Sequence, residues 1–163
     1  MFEATVIFRM TPSNNNGFYG FLSNFYRKTK KTRYDHVGRI INNRVYSIEK
    51  NGYNSMPLEE WKSIYSDQEY FVKNVEVPYN SKQFLSVFNA LRIFKYNKLY
   101  IYYLLILKIF FKKSKTKTRK YGTLLSSEMV AIASGLDDWY DYDVNKWMNY
   151  CKCKREIEKN VFK

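Results

Sequence analysis

Apolar and polar side chains alternate from Met1 to Met10. Phe2, Ala4, Val6, Phe8 and Met10 fall on one side, Glu3, Thr5 and Arg9 on the other. A period of two over this length predicts a strand with one face buried. Thr11 to Gly17, with Pro12 and a run of asparagines, predicts a turn or loop. Val37 to Tyr46 predicts a strand pair, with Asn42-Asn43 where a tight hairpin needs residues that tolerate positive φ. From Glu49 to Glu60 the turn formers Asn51-Gly52 and Pro57 dominate, and Pro57 fits the first turn of a short helix through Trp61 and Ile64. Ser81 is the expected N-cap of a helix with apolar positions at Phe84, Leu85, Phe88 and Leu91.

Leu99 to Leu107 is apolar or tyrosine throughout, and Ile109 to Phe111 continues past Lys108. The run is too interrupted for a membrane span and predicts a buried helix or strand. The lysines on both sides also fit an element lying on a membrane surface. Leu124 to Ala133 predicts a helix that stops at Gly135. Asp143 then caps a last helix with Val144, Trp147, Met148 and Cys151 on one face. Neither a repeat nor a linker interrupts the pattern. The expectation is one domain, residues 1–163, of the α+β class, with a small N-terminal sheet and several packed helices.

Charge adds a partner class to this picture. The chain carries a net charge of +13 and is 19% aromatic, with 16 tyrosines. Lys, Asn, Tyr, Phe and Ile rise together in AT-rich coding sequence, which accounts for much of the tyrosine but not for the excess of Lys over Glu. A balance this basic favours polyanions, and flat side chains can stack on bases, so RNA or DNA is the expected partner. Two basic runs stand out: Arg27, Lys28, Lys30, Lys31 and Arg33 in the first, Lys112, Lys113, Lys115, Lys117, Arg119 and Lys120 in the second. Each can lie along a phosphate backbone or be an ordinary solvated loop. On this basis the chain would be a non-catalytic nucleic-acid-binding protein, such as a ribosomal component or a viral or organellar nucleoprotein.

Candidate chemistry is sparse. Cys151 and Cys153 are poorly spaced for a disulfide, and His36 is the single histidine, so no metal site is expected. A reducing, intracellular compartment fits, and Met1 to Met10 lacks the pattern of a secretory signal. No phosphate-cradling Gly-x-x-x-x-Gly-Lys and no Gly-x-Ser-x-Gly elbow occurs, and no cofactor is implied. His36, beside Asp35, is expected in a solvated loop, and Glu59, Glu60 and Glu69 on exposed helix. Glu49 remains. A carboxylate at a strand end beside an aromatic can be partly desolvated and can stabilise an oxocarbenium-like sugar carbon.

One segment says more by its order than by its composition. Gly17 to Tyr26 places small polar groups among flat apolar ones, a flexible floor for a nucleotide or base. Gly20-Phe-Leu-Ser-Asn-Phe-Tyr26, followed by Tyr46-Ser47-Ile48-Glu49, resembles the opening of the NADAR family, named for links to NAD and ADP-ribose metabolism. The resemblance covers under a third of the chain. Lys50 stands where the family has histidine, one residue fewer separates Tyr46 from Glu49, and the family's Phe-Gln-Ala-x-Lys helix does not follow. The resemblance implies hydrolysis of an N-glycosidic bond in a ribosylated metabolite or in ADP-ribosylated nucleic acid. It further implies Glu49 as the catalytic carboxylate and Gly20, Ser23, Asn24, Phe25 and Tyr46 around an ADP-ribose-type ligand.

Overall fold

The alternation at the N-terminus becomes β1 (Phe2–Arg9), an inner strand of a five-stranded sheet. The computed structural model describes residues 1–12, 18–49, 51–93, 99, 103, 106 and 124–152. After β1 come α1 (Phe18–Lys30), β2 (His36–Ile41), β3 (Arg44–Glu49), β4 (Gly52–Pro57), α2 (Leu58–Ile64), β5 (Tyr70–Val77) and α3 (Ser81–Arg92). Then follow α4 (Ser126–Ala133), a 3-10 turn (Trp139–Asp141) and α5 (Val144–Lys152). The sheet order is β4-β3-β2-β1-β5, and every neighbouring pair is antiparallel. The fold is therefore α+β, with strands drawn from the first half of the chain.

Period two divides the sheet into unlike faces. Ala4, Val6 and Phe8 join Val37, Ile41, Ile48, Val75 and Val77 on the face that packs against Phe84, Phe88, Met129, Val130 and Trp147 of the helices. Tyr26 of α1 belongs to the same cluster, and its hydroxyl accepts the Val144 amide at the start of α5. The opposite face holds a smaller cluster of Ile7, Val45, Trp61 and Tyr70. Among the described residues, the helix packed on it is α2, on the crossing from β4 to β5. Among the described residues, the short α2 leaves a recess beside this face near Arg9 and Glu49.

The expected hairpin forms. Asn42 and Asn43 have φ of 48° and 60°, both in the left-handed region that asparagine tolerates. Asn80, one residue ahead of the expected Ser81, caps α3 in a reciprocal box with Gln83. Gly135 follows α4 at φ 77°, and Asp143 accepts the Lys146 amide at 2.8 Å to open α5.

Several expectations need correction. Gly17 to Tyr26 is not a flexible floor where it is described, because Phe18 onward forms α1. Helix propensity is poor at Gly20, Ser23 and Asn24, but the inward packing of Leu22 and Tyr26 outweighs it. The turn-rich stretch after Glu49 contains β4, and Pro57 precedes α2 as its N-cap. β5, which the pattern left unassigned, pairs with β1 along its whole length. Leu99, Tyr103 and Ile106 are helical but exposed, at 80%, 52% and 37%, so these three are not the buried element expected. The rest of that apolar run, and Cys153, lie outside the described residues. Among the described residues no helix is long and apolar enough to cross a membrane.

Candidate functional site

Three strands bring three ionisable side chains into one row on the open face. The β1–β2 register pairs Arg9 with His36. Continuing the β2–β3 register from Arg39 opposite Tyr46 sets His36 opposite Glu49. The contacts agree: Arg9 Nη2 donates to Glu49 Oε2 at 3.0 Å, and His36 Nε2 lies 3.1 Å from Oε1. Ser47, on the same side of β3, donates its hydroxyl to Oε1 at 2.7 Å. The Arg9 guanidinium lies over the Tyr65 ring at 3.8 Å, with Trp61 at 5.8 Å.

The row is nearly dry. Side chains of Arg9 and Glu49 are 6% and 10% exposed, that of His36 5%. Burial alone would raise the Glu49 pKa, but His36, Arg9 and Ser47 together overcome it and hold the carboxyl well below the ordinary carboxylate range. Burial and the Glu49 charge push the Tyr65 phenol upward. Glu49 is thus an ionised acid whose two oxygens both have partners. It can oppose positive charge, but it is not a free proton donor.

Beside this row opens a recess of about 430 Å³. Arg9, Thr11 and Glu49 form one wall; Ile64, Tyr65 and Gln68 form another; Asn54 and Met56 come from the edge strand β4. Gln68, on the second wall, has its Oε1 buried without a hydrogen-bond partner. No group of three or more His, Cys, Asp or Glu able to hold a metal occurs among the described residues.

The other residues named from sequence do not all gather here. Tyr46 points to the opposite face, edge-on to Phe84 and Phe88 at 6.0 and 5.2 Å, because it sits an odd number of positions from Glu49. Gly20 and Ser23 are buried within α1. Asn24 accepts a hydrogen bond from Arg27, which also bonds the Thr11 carbonyl and pairs with Asp35 at 2.9 Å. Asn24 is therefore linked to the recess through Arg27 and Thr11. Phe25 is exposed on the outside of α1.

The first basic run is only partly a free solvated surface: Lys28, Lys31 and Arg33 are exposed, but three of its five cations are paired. Arg27 is buried, Lys30 lies 3.9 Å from Asp143, and Arg33 bonds Glu69 through two nitrogens at 2.9 and 2.6 Å. Glu69 is accordingly not an exposed helix residue but a partner of Arg33 and of the Tyr34 hydroxyl. Lys28 and Lys31 alone of the five are exposed with no ion pair among the described residues. Lys112, Lys113, Lys115, Lys117, Arg119 and Lys120 lie outside the described residues.

His36 is the largest correction: it opens β2 and is 4% exposed, not a loop decoration. The sequence did carry a signal for it. A hairpin turning at Asn42-Asn43 pairs residues whose numbers sum to a constant, and that count sets His36 against Glu49. Arg9 follows by the same logic once β1 pairs with β2. Tyr65 and Gln68 carried no such signal, since they sit just after a helix whose placement is tertiary.

No protein-family model matches the chain, and no curated protein matches its sequence.

Proposed function

We propose that the recess at Glu49 is a ligand site and that the chain is a NADAR-like N-glycosidase, hydrolysing an ADP-ribosyl or ribosyl-amine bond. One observation carries this: a fixed carboxylate and a fixed guanidinium stand side by side, both largely buried, on the wall of a cavity of about 430 Å³. That volume is in the range of small-molecule sites. The two charges match a ligand that carries phosphate beside a sugar carbon destined to become cationic. Arg9 would meet the phosphate, and Glu49 would face the oxocarbenium-like centre. In the reaction the C–N bond breaks, water adds to the anomeric carbon, and the base departs with a proton. Because both Glu49 oxygens are engaged, its part is to stabilise charge rather than to protonate the base.

The test uses an ADP-ribosylated oligonucleotide and measures free ADP-ribose. Glu49→Gln should cut the rate about a hundredfold or more, as removal of a preorganised electrostatic group does. Asn54→Trp fills the recess from β4 without touching the ion pairs and should abolish turnover in a protein that melts like the wild type. Full activity in Asn54→Trp would remove the recess from the reaction. Equal activity in Glu49→Gln and wild type would remove the carboxylate.

A further inference from the structure

A second surface lies apart from the recess. Phe21 is 63% exposed and Phe25 38%, and their rings sit 6.2 Å apart with planes only 10° from parallel. Lys28 continues the same side of α1 three residues on, and Lys31 follows in the left-handed turn that ends the helix, at φ 51°. Both lysines are exposed, and no acidic residue occurs anywhere in α1. Two exposed, nearly parallel rings are thus followed along one element by two cations without an ion pair among the described residues, on a chain of net charge +13.

We propose that this outer face of α1 docks single-stranded nucleic acid, with bases stacked on Phe21 and Phe25 and backbone phosphates held by Lys28 and Lys31. Charge complementarity selects a polyanion. The rings select one whose bases are open to stacking, since a duplex hides its base faces. Four residues of helix rise about 6 Å, so the rings are spaced like alternate bases of a stacked strand, at about 3.4 Å per nucleotide. A lipid surface fits less well. Leu22 and Tyr26 of the same helix turn inward and are buried, so among its described side chains two rings rather than a broad apolar face are exposed to insert. The proposal stands without the glycosidase reading, because none of the four residues lines the recess.

Fluorescence anisotropy of a labelled, mixed-sequence DNA single strand tests it on the full chain. Phe21→Ala/Phe25→Ala should weaken binding about tenfold or more, while Ile93→Ala, at an exposed apolar residue that ends another helix, should not. Phe21→Leu/Phe25→Leu keeps the apolar bulk and should lose the same affinity, which separates stacking from a folding defect. Lys28→Gln/Lys31→Gln should lower the slope of log affinity against log salt by about 1.4, at roughly 0.7 for each phosphate no longer neutralised. Wild-type affinity in the ring variants, or equal affinity for the matching duplex, would overturn the proposal. So would loss of sedimentation with anionic vesicles in the ring variants while oligonucleotide binding persists, since the face would then be a lipid surface.

Discussion

Glu49 holds its charge in a place where charge is costly, and that has consequences for stability as well as for chemistry. Removing one member of a buried ion pair leaves the other uncompensated, at a cost of about 3–5 kcal/mol. Glu49→Gln should therefore lower the stability of the fold by about that much near neutral pH, measured by urea denaturation. The folded-state pKa of Glu49 is depressed. Its stabilisation is therefore complete above the unfolded carboxylate value, about 4.3, and is lost as pH falls from there towards the depressed value. The gap between wild type and Glu49→Gln should accordingly narrow on acidification below that point. A gap that stays constant through the acid range would mean that Arg9 and His36 do not hold the carboxylate as described. At this scale the sequence was half legible. Glu49 stood out because it ended a strand beside an aromatic, whereas Arg9 and His36 are ordinary until the strand register sets them in one row. Tyr46 was misgrouped for a simpler reason: one side chain of an odd-spaced pair on a strand must face away.

Elements were legible where one face is cleanly apolar. β1, α3 and α5 follow their expected patterns because each buries a continuous stripe, such as Phe84, Phe88 and Leu91. β5 was missed because Lys73, buried against the helical layer near Cys151, breaks its alternation with a charge. β4 was missed because Gly52, Asn54, Ser55 and Pro57 have little strand preference, and its conformation comes from pairing with β3. The end of α4 offers a test of how strictly local sequence is obeyed. Gly135 sits at φ 77°, and a Cβ there would lie 2.5 Å from the Tyr79 ring, whose backbone amide bonds the neighbouring Ser134 carbonyl. Gly135→Ala should cost about 1–2 kcal/mol for the left-handed backbone alone, and more if Tyr79 is displaced. Thermal unfolding of the two proteins measures it. An unchanged midpoint would show that the turn relaxes to a conformation any residue accepts.

For the whole molecule, net charge is what sequence alone supplies most directly, and structure decides how it is distributed. A net +13 spread over 163 residues repels itself. A folded chain of this length has a radius of gyration of about 15 Å. The Debye length is about 30 Å at 0.01 M salt and about 8 Å at 0.15 M. At low salt each cation therefore feels every other; at physiological salt it feels only its neighbours. The described ion pairs that salt could weaken most, Lys62–Glu59 and Arg33–Glu69, each have an exposed member and contribute little. Arg9–Glu49 and Arg27–Asp35 are buried and largely beyond screening. Relief of repulsion should outweigh loss of attraction, so the unfolding temperature should rise as sodium chloride is increased across this range. Arg27, Lys30 and Arg33, cations that sequence suggests are free for a polyanion, are already paired with Asp35, Asp143 and Glu69 and so oppose this trend, the two with exposed or half-buried members most. If the midpoint instead falls with salt, attraction between paired surface charges outweighs the net repulsion, and Lys30 and Arg33 are the first places to look.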